Sequence, residues 1–228
     1  DSFVSYLIQS SDDKLGLEWK RDSKVAEVVE FVFKPSKGTN TQTIVHSSSS
    51  LDSGSLWDII LEPSASSDIK ARLQFRLNNT NDASGSIETI ANRVSMSTDY
   101  FDMKNQNHWN VLLQRTSGPL NHSGETFGTY SASFNSALST FNHVLSLTSH
   151  SYEMFVGESN GDVLRVFNKV TMSIGGDVYR NAADSWIGTG SRAADAGGNL
   201  VIGETMTGSI AEFRTWKYAL SASKFKQH

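Results

Sequence analysis

Gly208-Ser-Ile-Ala-Glu-Phe-Arg-Thr-Trp-Lys-Tyr-Ala-Leu-Ser221 is the stretch on which the reading of this chain turns. A glycine opens a run that alternates Ile210, Glu212 and Arg214 with Ala211, Phe213 and Thr215, the period of a strand with one buried face. The run passes through Trp216 into an Ala219-Leu220-Ser221 turn. Upstream the same period recurs. Residues 69–77 alternate Ile69, Ala71, Leu73, Phe75 and Leu77 with Lys70, Arg72, Gln74 and Arg76. Residues 109–115 set Trp109, Val111 and Leu113 against Asn110, Leu112 and Gln114. Residues 25–33 are nearly all apolar apart from Glu27 and Glu30, as expected of a strand covered on both faces. Strands are also expected over 57–61, 86–91, 152–157 and 163–170. The last two flank Ser159-Asn160-Gly161-Asp162, and Asn-Gly suits the positive φ angles of a type I′ hairpin turn.

Composition agrees with an all-β chain. The 228 residues include 12 Phe, 5 Trp and 6 Tyr but only 3 Pro, and no internal repeat appears. One domain of this length buries about 70–75% of its unfolded surface. Cysteine is absent, which removes disulfides and thiol chemistry. The net charge of −4 supplies no basic field for nucleic acid. No apolar run reaches the ~20 residues of a membrane span. The chain starts at Asp1 and stops at Lys226-Gln227-His228 on what reads as a continuing helical turn, so excision from a longer polypeptide is expected.

The pattern G-x-I-x-x-x-R-x-W-x-x-A-L-S resembles the closing strand of laminin-G-like, concanavalin-A-like jelly rolls. The Trp109 strand, the hairpin with Gly157 ending its first strand, the Trp186-Ile187-Gly188 segment and residues 200–203 match that family's order. The resemblance implies an antiparallel two-sheet β-sandwich over residues 1–228. Residues 118–149 stand outside it as an insertion, and Phe134, Leu138, Phe141 and Leu145 there fall at helical spacing. The tail Ala-Leu-Ser-Ala-Ser-Lys-Phe-Lys-Gln-His also resembles domains of large phage structural proteins.

Glycoside hydrolases on this fold carry paired carboxylates on one strand, in a Glu-x-Asp-x-x-Glu arrangement. This chain has no such trio: Glu27 and Glu30 fall on opposite strand faces and Glu212 stands alone. The six histidines form no zinc spacing. Calcium ligands could come from Asp162, Asp184, Asp195 and residues 78–82, although Asn and Asp occupy turns in any case. No cofactor is expected.

Binding residues are a different matter. Lys70, Arg72 and Arg76 line one strand face, and guanidinium groups take carboxylates or sulfates bidentately. The same charges also suit a solvated face or a guarded edge strand. Trp57, Tyr100, Tyr179 and Trp186 lie near loop boundaries where a ring can stack on a sugar, with Asp184 and Arg192 beside them in sequence. The expected function is a non-catalytic glycan or surface-ligand module within an extracellular virion or cell-surface protein, contacting other domains or subunits but neither nucleic acid nor membrane. A structural spacer and a polysaccharide-cleaving enzyme on the same fold are the alternatives.

Overall fold

The computed structural model describes residues 4–8, 28–48, 55–77, 94–117, 128–130, 143–145, 150–160, 163–174, 179–180, 186–187, 198–216 and 218–228. The strands in chain order are β1 (Val4–Ile8), β2 (Val28–Pro35), β3 (Gln42–Ser48), β4 (Ser55–Pro63), β5 (Ala71–Leu77), β6 (Val94–Ser97), β7 (His108–Ser117), β8 (Gly128–Tyr130), β9 (His143–Leu145), β10 (His150–Asn160), β11 (Val163–Ile174), β12 (Tyr179–Arg180), β13 (Trp186–Ile187), β14 (Gly198–Ile202) and β15 (Gly208–Trp216). One helix, α1 (Ala222–Phe225), follows. Among the described residues the strands make a six-stranded sheet in the order β1-β14-β3-β4-β5-β6 and a five-stranded sheet in the order β11-β10-β7-β2-β15. Two small ribbons, β8-β9 and β12-β13, stand apart from them.

Every pairing is antiparallel, and the chain changes sheet repeatedly: β2 to β3, β6 to β7, β14 to β15. The early strand β2 pairs with the last strand β15. This is a two-sheet sandwich of jelly-roll type, as the strand pattern implies. Between the sheets, Phe31, Phe33, Val111, Leu113, Met154 and Val156 pack against Ile59, Leu61, Leu73 and Phe75. The alternation of β5 holds: Ala71, Leu73 and Phe75 are fully buried, while Arg72, Gln74 and Arg76 on the other face are half-buried. β2 is buried on both faces because the second face is covered as well. There Val28 joins Leu112, Phe155 and Phe225 in a smaller cluster beneath the C-terminal segment.

That segment is fastened by more than apolar contact. The Gln114 side chain accepts from Leu220 N at 2.8 Å and donates to Leu220 O at 3.0 Å, so an amide stands in for a strand partner. Glu30, 3% exposed, accepts from Trp216 Nε1 at 2.8 Å and lies 2.8 Å from His228 Nδ1. The Trp216 and His228 rings stack with centroids 5.7 Å apart.

Several local expectations are corrected. The closing strand does not keep its alternation. Ala211 pairs with Val32 and Arg214 with Glu30, so Glu212 and Phe213 together oppose Phe31. This bulge shifts the phase by one residue, and Ile210 and Phe213 both reach the main core. Glu212 carries the strain with φ of +54°. Gly157 does not end its strand, which continues to Asn160. A Cβ there would lie 2.6 Å from Leu164 Cδ1 and 3.3 Å from Phe225 Cε1, so the glycine makes room under the tail. Asn160 pairs with Val163, which leaves Gly161 and Asp162 as the two connecting residues, outside the described ones. In the insertion Leu145 belongs to β9, paired with β8, and not to a helix. Phe134, Leu138 and Phe141, and the strand expected at 86–91, lie outside the described residues. Trp216, which closes the strand, lies half-buried against the smaller cluster.

Candidate functional site

The outer face of the β4-β5 hairpin gathers the charged residues of both strands into two rungs. Antiparallel register sets Asp58 opposite Arg76 and Glu62 opposite Arg72. Both pairs are centred on Ser67 in the connecting turn, and this symmetry is a sequence signal for the acidic partners that strand-by-strand reading of 69–77 misses. Arg76 donates from Nε to Asp58 Oδ1 at 2.6 Å and from Nη2 to Asp58 Oδ2 at 2.7 Å. This fork holds Arg76 firmly in its charged form, with its pKa raised first by the hydrogen bond to Asp58.

Arg72 is engaged differently. Its Nε donates to Glu62 Oε2 at 2.7 Å, and that bond raises its pKa. Its two terminal nitrogens meet no acceptor among the described residues. The guanidinium carbon lies 5.0 Å from the centre of the Tyr100 ring, which is 41% exposed. Tyr100 reaches this position through a local irregularity. β6 pairs with β5 as far as Gln74 and Ser97, and Thr98 N then donates to Leu73 O at 2.9 Å. Pairing resumes with the Ala71 and Phe101 bridge. Asp99 and Tyr100 therefore stand together opposite Arg72 alone, and such a two-for-one bulge re-aims the side chains it carries. Thr98 pins it: its Oγ1 accepts from Leu73 N at 3.0 Å and donates to Asp99 O at 2.8 Å.

Around this core lie further polar groups. Gln74 Nε2 donates to Ser95 Oγ at 3.3 Å, and Lys70, Asp68 and Asp99 are exposed. On β3, His46 Nδ1 sits 3.2 Å from Glu204 Oε2. The structure thus unites Arg72, Arg76 and Tyr100 and separates Trp57 from them. Trp57 has no exposed surface and packs 6.4 Å from Phe75 within the core, because its register places it on the inward phase with Ile59 and Leu61. It cannot stack on a ligand in this fold. Tyr179 and Trp186 lie on the paired strands β12 and β13, with side chains outside the described residues, as are Asp184 and Arg192. Among the described residues no group of three or more His, Asp or Glu is placed to hold a metal. The calcium candidates Asp162, Asp184, Asp195 and residues 78–82 all lie outside them. Among the described residues no helix is long and apolar enough to cross a membrane.

The two arginines should separate by experiment. Arg76→Ala leaves the buried Asp58 carboxylate, whose side chain is 4% exposed, without its fork. It is expected to cost about 3 kcal/mol of stability, read as a lowered urea midpoint. Arg72→Ala removes a half-exposed pair and should cost under about 1 kcal/mol.

No protein-family model matches the chain, and no curated protein matches it. Among solved structures, the chain is similar to "Ruminococcus gnavus IT-sialidase CBM40", with a TM-score of 0.46 and 9% identity over 99% of this chain and 95% of that one. It is also similar to "Ruminococcus gnavus IT-sialidase CBM40 bound to alpha2,3 sialyllactose", with a TM-score of 0.43 and 10% identity over 89% and 83% of the two chains.

Proposed function

We propose that the chain is a non-catalytic glycan-binding module and that its ligand lies on Tyr100 and Arg72 at the edge of the six-stranded sheet. One observation carries this reading: the bulge at Asp99 and Tyr100 holds an exposed ring against a guanidinium whose terminal nitrogens meet no acceptor among the described residues. A pyranose has one face of C–H groups and a rim of hydroxyls. An aromatic ring takes the first, and fixed donors and acceptors take the second. The site sits on strand and bulge backbone, so its geometry exists before a ligand arrives. Such a module works where glycans are displayed, outside the cell, as part of a cell-surface or virion protein in contact with neighbouring domains.

A spacer role is favoured by a different observation: the C-terminal segment covers Val28, Leu112 and Phe155 on the outer face of the five-stranded sheet, taking that part of the face from any ligand. The two readings part on a glycan array carrying neutral, carboxylated and sulfated sugars. Binding that falls about tenfold in Tyr100→Ala, with an unchanged melting temperature, supports the module. A silent array with folded protein would sink it and leave the spacer.

A further inference from the structure

The geometry points to a sugar carboxylate as the group that anchors the ligand, received by the two terminal nitrogens of Arg72 while the sugar's apolar face lies on Tyr100. This rests on the glycan-binding reading above and specifies its chemistry. Nε is already bonded to Glu62, so the edge of the guanidinium that remains is the one bearing both terminal nitrogens. Those nitrogens form a planar two-donor fork, the complement of a carboxylate's two oxygens. Arg76 differs, because Asp58 takes its Nε and one of its terminal nitrogens, and no aromatic ring stands beside it among the described residues. Arg72 is also immobilised on two sides, by the Glu62 bond at 2.7 Å and by the Tyr100 ring, so little side-chain freedom is left to lose on binding.

The surrounding charge narrows the ligand further. Lys70, Arg72 and Arg76 are set among Asp58, Glu62, Asp68 and Asp99, and the whole chain is acidic at −4. A densely sulfated polymer needs a field of cations in excess, as other polyanions do. One fork in a balanced surround suits a single carboxylate per sugar unit, and the exposed Asp99 adds a penalty for each further anion placed beside it. Glu62 is then a positioning residue: it aims the fork and does not touch the sugar.

The array described above supplies the test, followed by calorimetry on its strongest carboxylated glycan and the methyl ester of that glycan. Signal is expected on carboxylated sugars, with the ester at least tenfold weaker. Arg72→Lys should lose at least tenfold for the acid, since an ammonium cannot reproduce the fork. Glu62→Ala distinguishes aim from bulk charge. It should weaken the carboxylate by several-fold, although it removes a negative charge that would otherwise repel the ligand. Circular dichroism and thermal melting of both variants confirm that they fold. Equal affinity for acid and ester, tighter binding of sulfated sugars, or a gain in Glu62→Ala each overturns the carboxylate and leaves a glycan module standing. Silence across the array overturns the module itself.

Discussion

Phe225→Ala should destabilise the protein by about 3–5 kcal/mol, the range for emptying a buried aromatic site. The residue lies near the end of the chain, where most substitutions are tolerated, and it sits in a helix of four residues. A helix that short has no stability of its own. Its order comes from the ring, which is 1% exposed and packs 5.6 Å from Phe155 and 6.0 Å from Phe167. Lys226 adds its ammonium 4.2 Å above Phe167. Loss of the ring removes the plug that Gly157 is shaped to receive, and Val28, Leu112 and Phe155 lose their cover. Calorimetric melting reads the loss. Hydrogen exchange localises it, because the Leu220 amide held by Gln114 should exchange far faster in the variant. An unchanged melting temperature would show that the tail merely rests on the sheet.

Gly208→Ala should be of similar size, at about 3 kcal/mol or more. Its φ is +138°, and a Cβ would fall 2.2 Å from Lys34 O and 3.0 Å from Pro35 Cα. Those neighbours are backbone and cannot rotate aside. Relief requires the start of β15 to leave β2, losing the Gly208 and Pro35 rung and straining the adjacent bond from Ser36 N to Thr207 O at 2.9 Å. Gly38→Ala is the control. Its Cβ would meet only Gln42 Nε2 at 3.8 Å, an ordinary contact, so the change should stay within about 0.5 kcal/mol. A denaturant titration of both variants checks the pair.

Much of the fold can be read from period-two patterning. The β5 alternation, the doubly buried β2 and the β10-β11 hairpin all follow from which residues must leave water and from the turn chemistry between them. Legibility fails where backbone irregularity changes the phase. Nothing in Ala211-Glu212-Phe213-Arg214 announces an extra residue, and plain alternation sets Phe213 on the face opposite Ile210, whereas both reach the core. Trp57 differs for another reason: its place near a loop boundary suggests exposure, whereas the alternation with Ile59 and Leu61 sets its direction inward. At the site, Arg72 and Tyr100 are visible as residue types, but their meeting depends on the bulge at Asp99, which side-chain periodicity does not encode. Glu62 and Asp58 become visible only when the two strands are read as a pair about Ser67.

The bulge at Glu212 and Phe213 bears on how copies of this protein behave when crowded. Among the described residues β15 is an edge of the five-stranded sheet, and a straight edge strand is a template on which a neighbouring molecule can add its own. Here the extra residue breaks the regular ladder of outward amides and carbonyls midway. Glu212 and Arg214 pair at 2.7 Å on the same stretch and leave charge along it. A second copy meeting β15 therefore finds an interrupted, charged ladder rather than a straight template on which to add a strand.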